Sequence, residues 1–193
     1  GGGDNLGVVF STSASGNNFR LRNQFNYTSA GFRPRYTVPV AYNGKFYGMT
    51  SAGGINNRGV IFEWDPVTNI YTKKYDFNST NGWTPYGSLT LSGTKFYGMT
   101  WEGGVNNGGV IFEWDPATNI YTKRIDLTFA TGSAPYGNLT GYGGKFYGMT
   151  YEGGANNFGV IFEWDPVTNI YTKKIDLSIP NGISPLGSLT LNS

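Results

Sequence analysis

The stretch KFYGMTWEGGVNNGGVIFEWDPATNIYTKRIDL, Lys95–Leu127, contains three strand-like runs and no room for a helix. Lys95–Thr100 is the first, Gly109–Trp114 the second and Ile120–Leu127 the third. Within the second, Val110, Phe112 and Trp114 alternate with Ile111 and Glu113, the two-residue period of a strand. Asp115-Pro116-Ala117-Thr118-Asn119 then fixes a tight turn, because proline presets φ and asparagine tolerates the left-handed region. The second and third runs are therefore expected to form a hairpin. Gly103–Gly108 (GGVNNG) reads as a more flexible crossing between the first two runs, and Ser88–Leu91 supplies a fourth run just upstream.

Nearly the same text begins at Lys45 and at Lys145. Gly59-Val60-Ile61-Phe62 recurs at Gly109 and Gly159, and Trp64-Asp65-Pro66 at Trp114 and Trp164. A worn copy comes first: Gly7-Val8-Val9-Phe10 matches Gly59 onward, and Phe19–Phe25 matches Tyr71–Phe77 without the Asp-Pro turn. Self-similarity at this period marks a repeat architecture. One small sheet cannot bury both faces alone, whereas stacked neighbours can. Four antiparallel strands per unit then predict an all-β, β-propeller-type array of about four four-stranded blades. The units are 1–36 (worn), 37–86, 87–136 and 137–186, with a last strand at 187–193, all in a single repeat domain. The recurring rings, Phe46, Tyr47, Phe62, Trp64 and their equivalents, are expected in the core between blades. Gly1 aligns with Gly103 and Ser193 with Gly93, so counterparts of Thr94–Glu102 are missing from the last unit. The favoured reading is a piece of a longer array; the alternative is an incomplete blade completed by a neighbouring molecule. Unpaired edge strands would invite self-association.

Composition agrees with short strands and tight turns. Aromatic residues make up 17% of the 193, glycines number 30 and charged residues are 13%, the opposite of a disordered chain. The net charge is +2, and the basic pairs Lys73-Lys74, Lys123-Arg124 and Lys173-Lys174 are each followed by an aspartate, Asp76, Asp126 or Asp176. That is a solvated strand face and not a phosphate track, so no nucleic-acid partner is expected. Cysteine and histidine are absent, which removes thiolate chemistry, the commonest general base and the commonest metal ligand. No apolar run approaches the ~20 residues of a spanning helix, so no membrane insertion is expected, and no cofactor signature is present.

The text from Lys145 to Leu177 resembles a kelch repeat: a glycine pair after the second strand, an aromatic strand, Asp-Pro-x-Thr-Asn, then an aromatic in the fourth strand. It is more similar to the GloVer-type bacterial tandem repeat, on Tyr47-Gly48, Thr50, Gly53-Gly54, Asn57, Gly59, Phe62 and the closing Pro85 and Gly87. That resemblance implies secreted or cell-surface proteins, commonly large, whose arrays are coupled to sorting or anchoring tails. It carries no catalytic residue across, since the repeat motif is structural.

Glu63, Glu113 and Glu163 recur identically, as scaffold residues do, which argues against a glycosidase-like acid/base pair and for a chain without enzyme activity. The Gly-Gly-x-Asn-Asn-x-Gly loops, with Asp4 in the worn copy, offer oxygen ligands but lack the carboxylates of a calcium loop, so they read as turns and no metal is expected. The substituted letters are the candidate ligand-binding positions: Trp101 and Tyr151, Glu102 and Glu152, Arg58 and Phe158, and Trp83. All fall at strand ends or loops, where binding residues concentrate. Rings beside carboxylates suit a sugar, one packing on its apolar face and the other accepting from hydroxyls. The expected function is a non-catalytic binding module for a glycan or protein. The alternatives are a structural, self-assembling repeat and, third, a carbohydrate-active enzyme.

Overall fold

The computed structural model describes residues 6–13, 15, 18–25 and 30–191. Their strands are β1 (Val8–Ser11), β2 (Arg20–Gln24), β3 (Val40–Tyr42), β4 (Lys45–Thr50), β5 (Val60–Asp65), β6 (Ile70–Asp76), β7 (Thr90–Ser92), β8 (Lys95–Thr100), β9 (Val110–Asp115), β10 (Ile120–Asp126), β11 (Thr140–Tyr142), β12 (Lys145–Met149), β13 (Val160–Asp165) and β14 (Ile170–Asp176). Consecutive strands pair antiparallel into three four-stranded sheets, β3–β6, β7–β10 and β11–β14, which we call the first, second and third complete blades. Among the described residues the worn copy forms a two-stranded sheet, β1–β2, in place of a fourth full blade. Asp4 lies outside the described residues. Among the described residues no helix is long and apolar enough to cross a membrane.

The hairpins form for the reason the turn residues suggest. Asp115 Oδ1 accepts from the backbone N–H groups of Ala117 and Thr118, and Asn119 closes the turn at φ 58°. Asn119 Oδ1 also accepts from Trp114 Nε1 at 3.2 Å, so the buried indole is satisfied by the turn itself. Gly98 lies in mid-strand where the Phe112 ring crosses the sheet face; a Cβ there would sit 2.5 Å from Cζ of that ring. In every complete blade the fourth strand carries a β-bulge, at Lys74, Arg124 and Lys174, which bends it around its neighbour.

Cohesion lies between blades. Tyr47, Met49, Ile61 and Phe77 of the first interdigitate with Phe96, Phe112 and Trp114 of the second. Tyr97, Met99, Ile111 and Leu127 of the second do the same with Phe146, Phe162 and Trp164 of the third. Leu6, Val9, Phe25 and Phe32 pack on Phe62 and Trp64. Most of these side chains are fully buried, and the large rings dominate the apolar area removed from water. Hydrogen bonds stitch the same seams: the Tyr121 hydroxyl donates to the Asn81 carbonyl at 2.5 Å and Asn119 Nδ2 to the Lys74 carbonyl at 2.9 Å.

Two local expectations are corrected. The expected run Ser88–Leu91 is a strand only over Thr90–Ser92. Ser88 is diverted: its Oγ accepts from Val38 N–H at 2.7 Å, and its own N–H donates to Asn138 Oδ1. Those bonds join blades and replace ladder pairing within one. The Gly103–Gly108 crossing is pinned as well. Asn107 Oδ1 accepts from Gly103 N–H, Asp126 Oδ1 accepts from Val105 N–H, and Gly104 adopts φ 78°.

Candidate functional site

At each seam the segment that closes one unit is laid against the start of the next. Trp83 pairs with Glu102 in a two-way backbone bridge, and Ser133 pairs with Glu152 in the same way. Thr84 N–H donates to the Arg58 carbonyl and Ala134 N–H to the Gly108 carbonyl, both at 2.9 Å. These bonds define two equivalent slots, the first between the first and second blades and the second between the second and third.

The second slot is a cleft of about 380 Å3 lined by Trp101, Glu102, Gly108, Phe129, Ser133 and Glu152, together with Asn106, Asn107 and Ala134. Phe129 is exposed at its rim, Glu152 is exposed and Glu102 half-buried. Burial pushes the Glu102 carboxyl above its ordinary value; the Arg58 charge opposes that and the Glu152 charge adds to it. No described residue hydrogen-bonds Trp101 Nε1 or Ser133 Oγ, although both atoms are buried and Ser133 is only 5% exposed. Buried polar groups ordinarily find a partner, so an unpaired donor and an unpaired hydroxyl in two residues that line one cleft are a stored capacity for a ligand or water.

The first slot is filled. The Arg58 guanidinium stacks over the Trp83 ring, 4.0 Å from its centroid, and Trp83 Nε1 reaches Asn107 Oδ1 at 3.4 Å. The sequence candidates are thus divided. Trp101, Glu102 and Glu152 line one cleft; Arg58 and Trp83 pair with each other in the neighbouring slot. Tyr151 turns to Tyr136, with ring centroids 5.2 Å apart, and Phe158 lies half-buried in the third blade, where its carbonyl accepts from Ser184 N–H.

Sequence reasoning missed the aromatic support behind the cleft. Tyr86 and Tyr136 stack at 4.9 Å, Trp101 contacts both at 5.8 and 6.1 Å, and Tyr36 meets both from the preceding unit. The available signal was a tyrosine recurring every 50 residues beside the closing proline segments. Gly108 and Ser133 stand at positions where the repeats differ, matching Arg58 and Trp83, but were not singled out as lining residues, and Phe129 was passed over, because small or apolar loop residues carry no chemical signature.

The scaffold carboxylates are neutralised. Lys145 Nζ lies 2.7 Å from Glu163, and hydrogen bonds from Lys145 and Tyr147 hold that carboxyl below its ordinary value. Lys45 engages Glu63 at 2.6 Å, and Lys95 engages Glu113. Among the described residues no group of three or more histidine, cysteine, aspartate or glutamate side chains is arranged to hold a metal.

Comparison with solved structures places the architecture among β-propellers. The nidogen/laminin complex matches with a TM-score of 0.60 at 14% identity, over 86% of this chain and 54% of that one. YjhT matches with a TM-score of 0.55 at 13% identity, over 91% and 60%. TolB from Acinetobacter baumannii matches with a TM-score of 0.53 at 12% identity, over 86% and 37%. The chain spans little more than half the length of the first of these, and at such identities the likeness concerns the fold alone. No curated protein matches the sequence. The Gloeobacter/Verrucomicrobia repeat model matches residues 1–193, the entire sequence, and the chain belongs to that repeat family.

Proposed function

We propose that the chain is a non-catalytic binding module of a secreted or cell-surface protein, and that its ligand enters the cleft between the second and third blades. The observation that carries this reading is a coincidence of place. The cleft is lined by two glutamates and by the residues that carry an unpaired indole N–H and an unpaired hydroxyl, at positions where the three repeats stop agreeing. A cleft with a ring-supported wall and a few polar groups suits a polar moiety of a glycan or of a protein. The extracellular setting is carried over from the resemblance to surface repeat arrays. A fold of this kind in the nidogen/laminin complex is consistent with a protein ligand.

The test is a glycan array and a peptide array probed with the wild-type chain, with Trp101→Ala and with the double variant E102Q/E152Q. Binding is expected, weakened at least about tenfold by either change, as for loss of a buried anchor. An array without binding, or binding indifferent to both substitutions, overturns the reading. Reducing ends released from a polysaccharide by the wild type and lost in E102Q/E152Q would replace it with an enzyme.

A second reading is self-assembly, favoured by the half-buried Tyr147, Met149 and Ile161 and the exposed Ile175 on one face of the third blade. A particle that stays monomeric by light scattering at every concentration would remove that reading.

A further inference from the structure

The two slots share a backbone and differ in their filling. Arg58, Trp83 and Glu102 stand in the first where Gly108, Ser133 and Glu152 stand in the second, as the matching bridges and carbonyl contacts fix. The first slot therefore contains its own occupant: a guanidinium 4.0 Å above an aromatic ring, whose charge acts on the adjacent Glu102. In the second slot the cation and the ring beneath it are both gone. The carboxylates are not. Glu152 keeps the place of Glu102, Glu102 itself lines the same cleft, and none of the lining residues is basic.

We propose that the second slot receives the arginine side chain of a partner polypeptide, whose guanidinium takes the place that Arg58 fills in the first. This rests on the reading of the cleft as a binding site and names its ligand. Guanidinium presents five donors and no acceptor, in a planar fork suited to carboxylates. Glu102, Glu152 and the unpaired Ser133 Oγ, in a residue 5% exposed, supply acceptors. Trp101 Nε1 is a donor only, so a bare cation leaves it unpaired, whereas the backbone carbonyl of an arginine residue satisfies it. Two carboxylates with no basic residue among the lining side chains favour a cationic arginine over a neutral sugar. Phe129, exposed at the rim, offers the apolar surface along which an arginine stem packs. The cleft volume, about 380 Å3, lies within the ordinary range of ligand pockets.

The experiment is a titration of the intact chain with Nα-acetyl-arginine amide, followed at the Trp101 indole N–H resonance and assigned with Trp101→Phe. Nα-acetyl-citrulline amide, similar in shape and uncharged, is the control. A saturable shift is expected with the arginine compound, at least about tenfold weaker with citrulline and similarly weakened by Glu152→Gln. The double variant G108R/S133W carries the pair that stands in the first slot, with a local adjustment at Leu127, whose carbonyl oxygen lies 2.8 Å from the place of a Cβ on residue 108, and is expected to abolish the shift while the rest of the spectrum stays folded. Equal response to citrulline, or a Trp101 shift that persists in G108R/S133W, overturns the proposal. If an array ligand that requires Glu102 and Glu152 is not displaced by saturating acetyl-arginine amide, the arginine assignment falls and the binding reading stands. If no ligand is found and the resonance never moves, both fall.

Discussion

The forward face of the second blade and that of the third carry nearly the same residues and meet different surroundings. On the second, Met99 and Ile111 are 2% and 0% exposed, because Phe146, Phe162 and Trp164 of the next blade press on them. On the third, Met149 and Ile161 are only half-buried, Tyr147 is half-buried where Tyr97 is buried, and Ile175 is exposed. The same letter thus contributes differently according to whether a neighbour covers it. Stability in a stacked array belongs to interfaces more than to single units.

The sharpest way to break that comparison is a matched pair of truncations. Ile111→Ala should destabilise by about 2–5 kcal/mol in denaturant unfolding, the usual range for a fully enclosed side chain. Ile161→Ala should remove less than half as much. Equal losses would mean that the third blade's face is covered in solution, and would tie stability to protein concentration if a second copy covers it. Thr100→Val tests the seam from inside. Thr100 Oγ1 accepts from Val110 N–H at 3.1 Å and donates to the Glu102 carbonyl at 2.9 Å, and Thr100 is fully buried. Leaving those groups unpaired should cost about 1–3 kcal/mol, read as a lowered unfolding midpoint without a change in slope.

Acid should also separate the carboxylates. Glu163 is held below its ordinary pKa of 4.5 by Lys145 and Tyr147, and Asp165 below 3.8 by backbone N–H groups of Thr168 and Val167. Their folded values lie under their unfolded ones. Their contribution is therefore present above the ordinary carboxylate range and is lost as pH falls through the depressed folded values. The thermal midpoint should decline across that acid window, and Lys145→Met should reduce the decline. A profile unchanged by Lys145→Met would show that the lysine is not what holds Glu163. Glu102 carries the opposite sign, since burial raises its folded value and its ionisation opposes folding at neutral pH. Glu102→Gln is the smallest effect expected: a slight rise in thermal midpoint alongside weakened binding in the second slot, the trade of stability for function that sites commonly show.

Much of the fold was legible. Repeat period, Asp-Pro-x-Thr-Asn turns and alternating aromatic runs are local patterns, and the strands of all three complete blades follow them. The exceptions are residues whose partners lie outside their own run, in another strand or another repeat. Ser88 looks like strand in sequence, yet it bonds to Asn138, 50 residues on. Gly103–Gly108 looks loose, yet it is fastened by Asp126 from the end of the fourth strand. The site was legible in part: divergence between repeats pointed to Trp101, Glu102 and Glu152 and marks positions 108 and 133 as well, but a glycine and a serine carry no chemical signature there, and the Tyr86–Tyr136 stack recurs with the repeat.

The sequence by itself determined the strands, the turns, the repeat and the identity of the core rings, because each depends on backbone preference and side-chain polarity within a few residues. Only the tertiary structure decided which unlike letters meet. It set Arg58 on Trp83 in one slot and left Gly108 and Ser133 facing two carboxylates in the next. The reason is that blade stacking places residues from successive units side by side across the seam. What a slot lacks is therefore apparent only beside the slot that has it.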